Sequence, residues 1–223
     1  MEAMLPYLRE HYGNASSVHR EGRLARQAIE QAREQVAALV AAHPSQVIFT
    51  SGGTEANNLA LKGVCHAEPR TRLAVGAVEH ASVLVPAKRL GARLLPVDGQ
   101  GRLQMAALEE GLAGGDTLLS LMLVNNETGV IEDIAAAAQI ARQYGAILHT
   151  DAVQAAGKIA VDMNALGVQM LSLSAHKIYG PKGIGALVVD KAVSLEPLLD
   201  GGGHEKGRRA GTQDVPAIVG FGV

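Results

Sequence analysis

Short, almost unbroken apolar runs recur along the chain at 47–50, 73–78, 93–97, 118–124, 146–150, 170–174 and 184–189. Runs of this length, rich in Val, Ile and Leu, read as strands buried on both faces, so they predict a sheet covered on each side. Between them the apolar spacing changes to three and four. In 23–40, Leu24, Ala28, Ala32, Val36, Leu39 and Val40 fall on one helical face. Similar amphipathic helices are predicted over 54–63, 81–90, 104–112 and 131–144. Strand alternating with helix predicts an α/β fold, three αβα layers around a mainly parallel sheet of about seven strands. The last two runs break the rhythm. Only 174–184 lies between them, too short for a helical crossover, so they are expected to pair antiparallel.

Composition adds limits to this picture. Of the 223 residues 48% are apolar, enough for a sizeable core, and no linker, repeat or low-complexity tract divides residues 1–223, which read as one domain. Trp is absent and aromatics make up 3%, so the core must be built from Ala, Leu, Val and Ile. A net charge of −2 with no long basic run leaves no electrostatic footprint for nucleic acid or an anionic membrane. The longest apolar run is far short of the ~20 residues of a membrane helix. The start, Met1-Glu-Ala-Met-Leu-Pro6, lacks a basic stretch followed by an apolar one, so a soluble, cytoplasmic protein is expected. The single cysteine, Cys65, leaves no internal disulfide and no multi-cysteine metal cluster. At a predicted helix end it reads as a small structural residue.

In open α/β sheets ligands collect at the carboxyl ends of the strands, so the residues after each run are the candidates for chemistry. Thr50-Ser-Gly-Gly-Thr-Glu55 follows a strand and opens a helix. Free amides, close approach at the glycines, and the hydroxyls of Ser51 and Thr54 make a phosphate cradle there; an ordinary N-cap with Glu55 in the first turn is the alternative. It is not a Walker loop, because no Gly-Lys-Ser/Thr follows at the required spacing. His80 can stack on an aromatic ring and shuttle protons, or serve only as a structural hydrogen-bonder. Asn125 and Asn126 form a turn, or present one amide to the crevice. In His149-Thr-Asp-Ala-Val-Gln154, Asp151 can hold a pyridinium nitrogen protonated while Gln154 reaches a ring oxygen. Alternatively, Asp151 caps a short following helix. Lys177 lies between a strand and a glycine-rich turn, where a Schiff-base lysine would sit. A lysine binds carbonyls only if its surroundings favour the free amine, and a crowded strand end beside His176 and apolar walls is such a place. The plain alternative is a solvated loop lysine.

In this order the segments closely resemble the cysteine desulfurases, pyridoxal-phosphate enzymes of the class V aminotransferase group, in the branch that supplies sulfur for iron–sulfur clusters. The likeness is carried by Gly13-Asn-Ala-Ser-Ser-Val-His19, Phe49-Thr-Ser-Gly-Gly-Thr-Glu-Ala-Asn-Asn58, Glu79-His80, Val124-Asn-Asn-Glu-Thr-Gly-Val130 and His149-Thr-Asp-Ala-Val-Gln154. It continues through Ser174-Ala-His-Lys-Ile-Tyr-Gly-Pro-Lys-Gly-Ile-Gly185 and Gly201-Gly-Gly-His-Glu-Lys-Gly-Arg-Arg-Ala-Gly-Thr212. The resemblance implies the large domain of the fold type I transferases, binding pyridoxal 5'-phosphate. Lys177 would be the Schiff-base lysine, Asp151 would pair with the pyridine nitrogen and Gln154 with the ring hydroxyl oxygen. His80 would stack on the ring and move protons, Asn126 would steady cofactor and substrate, and Gly53, Thr54, Ser174 and His176 would hold the phosphate. Thr212 would reach the phosphate of a neighbouring subunit, which implies a homodimer with shared sites. The substrate implied is L-cysteine, and the sulfur acceptor a scaffold or thio-cofactor protein.

The family's persulfide-forming cysteine lies on a mobile loop in a C-terminal region that has no counterpart in these residues, and neither has the substrate-binding arginine or the small domain. The family's N-terminal Ala-Thr-Thr segment is likewise without counterpart. Two readings therefore stand: the cofactor domain of a desulfurase, or a pyridoxal-phosphate-binding, dimerising module without desulfurase turnover. Another class V enzyme such as a selenocysteine lyase is a third.

Overall fold

All seven apolar runs become strands of one sheet: β1 Val47–Thr50, β2 Arg72–Gly76, β3 Arg93–Leu95, β4 Thr117–Met122, β5 Ile147–Asp151, β6 Met170–Ser174 and β7 Gly185–Val189. The structure, a computed structural model, describes residues 1–115 and 117–223. The order across the sheet is β1-β7-β6-β5-β4-β2-β3. β3, β2, β4, β5 and β6 run parallel, while β7 pairs antiparallel with both β6 and β1. The short connection therefore produces the antiparallel pair its length requires. β1 is the edge strand beyond β7, and its antiparallel pairing with β7 sets it in the same direction as the parallel strands.

The helices are α1 Leu5–Arg9, α2 Arg20–Leu39, α3 Gly53–Ala67, α4 Ala81–Arg89, α5 Met105–Leu112, α6 Ile134–Gln143, α7 Met163–Leu166 and α8 Val215–Gly222. Their starts are set by caps more than by periodicity. α2 begins at Arg20, ahead of the expected 23, because His19 accepts the Gly22 N–H at its ring. α6 begins at Ile134, later than 131, because Ile131 bridges back to Val124 and Asp133 caps the helix through the Ala136 N–H at 3.0 Å.

Consecutive strand residues feed opposite layers. In β7, Ala186 and Val188 pack into the core under α2, α5, α6 and α8, while Leu187 and Val189 pack under α3 and α4. This two-sided burial is why the strands read as continuous apolar runs. The few polar residues admitted to the sheet are paired across it. His149 is fully buried between Ser120, whose Oγ lies 2.8 Å from its Nδ1, and Ser172, whose Oγ lies 2.9 Å from its Nε2. Burial pushes its pKa down from 6.5 to about 3.

That shift fixes an acid-stability prediction. The unfolded chain takes up the His149 proton near pH 6.5 and the folded chain only near pH 3, so the stability tied to neutral burial is complete above 6.5 and is lost progressively as pH falls toward 3. His149→Gln, which keeps an amide between the two serines, is expected to flatten the acid limb of urea-unfolding stability across that window. An unchanged slope would show that His149 is not buried as a neutral ring.

A buried ion pair ties the segment around Glu205 to the core. Arg33 of α2 grips Glu205 through Nη1–Oε2 at 2.7 Å and Nη2–Oε1 at 3.0 Å, with both side chains buried, and its Nη1 also donates to the Val47 carbonyl at 2.9 Å. The Phe49 N–H donates to Glu205 Oε2 at 3.0 Å, and Gln213 Nε2 donates to Oε1. The Arg33 guanidinium also stands 4.8 Å over the Phe49 ring. Burial alone opposes charge on Arg33, but its bonds to Glu205 and Glu30 outweigh that and raise its pKa. Glu205 and Lys206 are held at positive φ (46° and 59°), a conformation that the buried pair helps to sustain.

Candidate active site

The direction of winding reverses beside β2: the chain passes from β2 outward to the edge strand β3, then returns across β2 to β4 and proceeds to β5 and β6. A crevice outside the carboxyl ends of the strands is the expected ligand site of such a sheet. A cleft of about 550 Å³ opens there. Five separate segments furnish its walls: Gly53 and Thr54 at the start of α3, His80 before α4, Asn126 after β4, Asp151 and Gln154 after β5, and Ser174, His176 and Lys177 after β6. Every candidate except Thr212 lines it. Thr212 is exposed and borders an adjoining hollow with Arg209 and Gly183, the latter also on the rim of the main cleft.

The start of α3 leaves backbone amides free. Ala56 is the first residue of the helix whose N–H returns to a backbone carbonyl, that of Gly52 at 3.1 Å, so the preceding amides have no intrahelical acceptor. The N-cap is Gly52 at φ 148°, a conformation open to glycine, and with no side chain it leaves the helix start uncapped. A Cβ at Gly53 would come within 2.9 Å of Val153 Cγ2, so a side chain there would push the helix start away from the residues after β5. Glu55 turns away: it accepts the Ser51 N–H at 2.7 Å and pairs with Arg209 at 2.9 Å. Burial pushes the Glu55 carboxyl up, but Arg209 and Ser51 outweigh it and hold it below its usual range. This pair also ties the glycine-rich basic segment carrying Thr212 to the start of α3.

At the floor, Asp151 accepts the Val153 N–H on Oδ1 at 2.9 Å and Asn57 Nδ2 on Oδ2 at 2.7 Å. The short helix of the alternative reading, which Asp151 would have capped, does not form; the residues after it make successive turns, with Gly157 at φ 72°. Burial raises the Asp151 carboxyl above its ordinary range, against the pull of Asn57, Val153 and nearby His80. No cation hydrogen-bonds to Asp151 among the described residues, so a ligand bearing a positive N–H would supply a missing partner. Glu79 lies close by and is more deeply affected: burial, together with the charges of Asp151 and Glu132, holds it well above the carboxylate range. Its Oε1 accepts the Met122 N–H at 2.7 Å, and its Oε2 has no partner among the described residues.

His80 has both roles open to it. Its Nδ1 caps α4 by accepting the Ser82 N–H at 3.1 Å, and its ring lines the cleft. The two asparagines divide their work. Asn125 makes the turn, its Oδ1 accepting the N–H groups of Glu127 and Thr128 at 2.9 Å each, while Asn126 lines the cleft. Opposite, Lys177 lies half-buried on the 3-10 turn Ala175–Ile178. Beside it Ser174 Oγ meets His176 Nδ1 at 2.8 Å. Desolvation, with the charges of Lys177 and Lys182, pushes the His176 pKa down. Cys65 lies on α3 outside the cleft, and burial pushes its thiol up, the reverse of an activated nucleophile.

Free amides at a helix start, a buried acid without a cationic partner among the described residues, a histidine and a strand-end lysine thus surround one cleft of an α/β domain, the class to which its relatives also belong. Residues 1–223 match the family described as aminotransferase class-V. The chain belongs to that family, whose members use pyridoxal phosphate. It is 46% identical to "Cysteine desulfurase IscS" of Dictyoglomus turgidum, over 99% of this chain and 58% of that protein. It is 46% identical to "Cysteine desulfurase 2" of Trichormus variabilis, over 100% of this chain and 57% of that protein. Among solved structures, a "NifS-like protein" superposes with a TM-score of 0.94 at 41% identity, covering 99% of this chain and 63% of that one. Another, "SspA in complex with cysteine", gives 0.93 at 38% identity, covering 99% and 66%. The chain thus spans somewhat over half the length of the curated relatives it matches.

Proposed function

We propose that this chain is the cofactor-binding large domain of a pyridoxal-phosphate-dependent cysteine desulfurase, which converts L-cysteine to L-alanine and passes the sulfur on for iron–sulfur cluster or thio-cofactor assembly. The observation that carries the reading is the convergence of Lys177, Asp151, His80 and the start of α3 on one cleft from separate segments. When bound, pyridoxal phosphate supplies an electron sink for the α-carbon of an amino acid. The chain's own residues hold it and move protons. The free amides of α3 with Thr54, Ser174 and His176 bind the phosphate. Asp151 carries the negative charge that keeps the ring nitrogen protonated, and Gln154 bonds the ring hydroxyl oxygen. His80, on the cleft wall, would lie beside the ring and could move protons through its imidazole. Lys177 is the carbonyl-binding nucleophile, and Asn126 orients substrate.

The same reading makes the protein a cytoplasmic homodimer. No described helix is long and apolar enough to cross a membrane. Thr212 faces solvent on a segment braced by Arg33–Glu205 and Arg209–Glu55, and this supports its presentation to the cleft of a second copy. A sulfur-acceptor scaffold protein completes the proposed partners.

The position of Cys65 favours a second reading. The chain's one cysteine does not line the cleft, so a thiol from elsewhere must accept the sulfur, or this domain binds cofactor without desulfurase turnover. Sulfide release from L-cysteine by the purified, cofactor-loaded chain, with reductant present, separates the two. Release that depends on the cofactor supports a desulfurase. Cofactor binding with no release, even after addition of a low-molecular-weight thiol acceptor, leaves the binding module.

A further inference from the structure

Asn57, in the second turn of α3, is 1% exposed and directs both of its amide hydrogens to the floor of the cleft. One goes to Asp151 Oδ2 at 2.7 Å and the other to Ser82 Oγ at 2.8 Å. Ser82 Oγ lies 2.7 Å from His80 Nδ1. The backbone fixes the direction of that last bond. The Ser82 N–H also points at Nδ1, at 3.1 Å, and can only donate, so Nδ1 is the acceptor and the ring hydrogen belongs on Nε2. The Ser82 hydroxyl then donates to Nδ1 and offers a lone pair to Asn57.

The orientation of the amide is equally constrained. Turned over, it would set Oδ1 against the Asp151 carboxylate. As it stands, Oδ1 is buried with no partner among the described residues, so the two donor bonds are kept at the expense of an unpaired acceptor.

We propose that Asn57 and Ser82 are positioning residues that join Asp151 and His80 into one directed chain of hydrogen bonds. Asn57 holds Oδ2 of Asp151 while Val153 holds Oδ1, which aims the carboxylate at the ring nitrogen of a bound cofactor. Through the Ser82 hydroxyl the same amide braces the His80 tautomer that the Ser82 backbone N–H sets. The inference rests on the cofactor reading above.

Equilibrium titration of the cofactor-free chain with pyridoxal phosphate, and with the analogue in which carbon replaces the ring nitrogen, tests it. Asn57→Leu is expected to weaken pyridoxal phosphate about tenfold or more, the loss of one hydrogen bond to a charged group, and to leave affinity for the carbon analogue unchanged. Equal weakening toward both ligands would show that Asn57 acts only through packing and would overturn the proposal. If the wild type binds neither ligand, it is the cofactor reading that fails. Should Asn57→Leu not fold, ¹⁵N spectra of the cofactor-free wild type decide the other half. The His80 proton is expected on Nε2, and a proton on Nδ1 would reverse the chain at Ser82.

Discussion

Lys177→Ala is expected to lose all borohydride-fixable cofactor and to slow turnover of any amino-acid substrate by at least about a hundredfold, the scale of losing a positioned nucleophile and proton-transfer group. The size follows from its place. Lys177 lines the cleft across from Asp151 and His80, and it makes no hydrogen bond among the described residues that would give it a structural task. Its removal should therefore leave unfolding free energy within about 0.5 kcal/mol of wild type. Stopped-flow turnover measured beside urea unfolding reads both quantities. A large loss of stability with cofactor still attached would mark Lys177 as a structural residue.

Glu205→Ala is expected to destabilise the fold by about 3–5 kcal/mol, because it leaves a buried guanidinium without its carboxylate. The Phe49 N–H and Gln213 lose their acceptor at the same time. Arg33→Met in the same background should recover part of this loss, since the unpaired charge is then removed. Chemical unfolding of the two single variants and the double variant measures the coupling. A change under about 1 kcal/mol for Glu205→Ala would mean that the pair is not buried as described. The consequence reaches function: this pair pins the turn from which the Thr212 segment departs, so its loss should also free that segment.

Much of the fold was legible because burial on both faces leaves a simple trace. Leu187 and Val188 point to opposite layers, yet both are apolar, and the same holds for Leu118 and Leu119. Such runs show that strands exist but not where each stops. Leu118-Leu-Ser-Leu-Met-Leu-Val124 reads as one strand, but the ladder ends at Met122, and Leu123 instead donates its N–H to the Asp151 carbonyl at 3.0 Å. The strand order followed from no local pattern, since the place of β1 beside β7 is fixed by pairing with a partner far along the chain.

The candidate site was legible at strand ends, where polar residues interrupt apolar runs for want of any packing reason. Gly53, His80, Asp151 and Lys177 stood out in this way and meet in the cleft. The supporting residues did not. Asn57 sits inside a helix among Asn and Ala residues, and only the fold shows that its amide reaches Asp151, 94 positions later. Arg33 and Glu205 are 172 positions apart, and each alone resembles an ordinary surface charge. Glu79 was visible only as the neighbour of His80, although it proves to be a buried acid bonded to the Met122 N–H. Contacts across such separations leave no periodicity in the sequence, so nothing local could have announced them.

The central claim is that Lys177 binds pyridoxal phosphate covalently in this cleft. Borohydride reduction of the purified, cofactor-treated chain, followed by protease digestion and mass spectrometry, tests it most directly. The expected result is one pyridoxyl-phosphate group, on the peptide containing Lys177 and on no other lysine. Labelling spread over surface lysines such as Lys88 and Lys191, or absent altogether, would contradict the account.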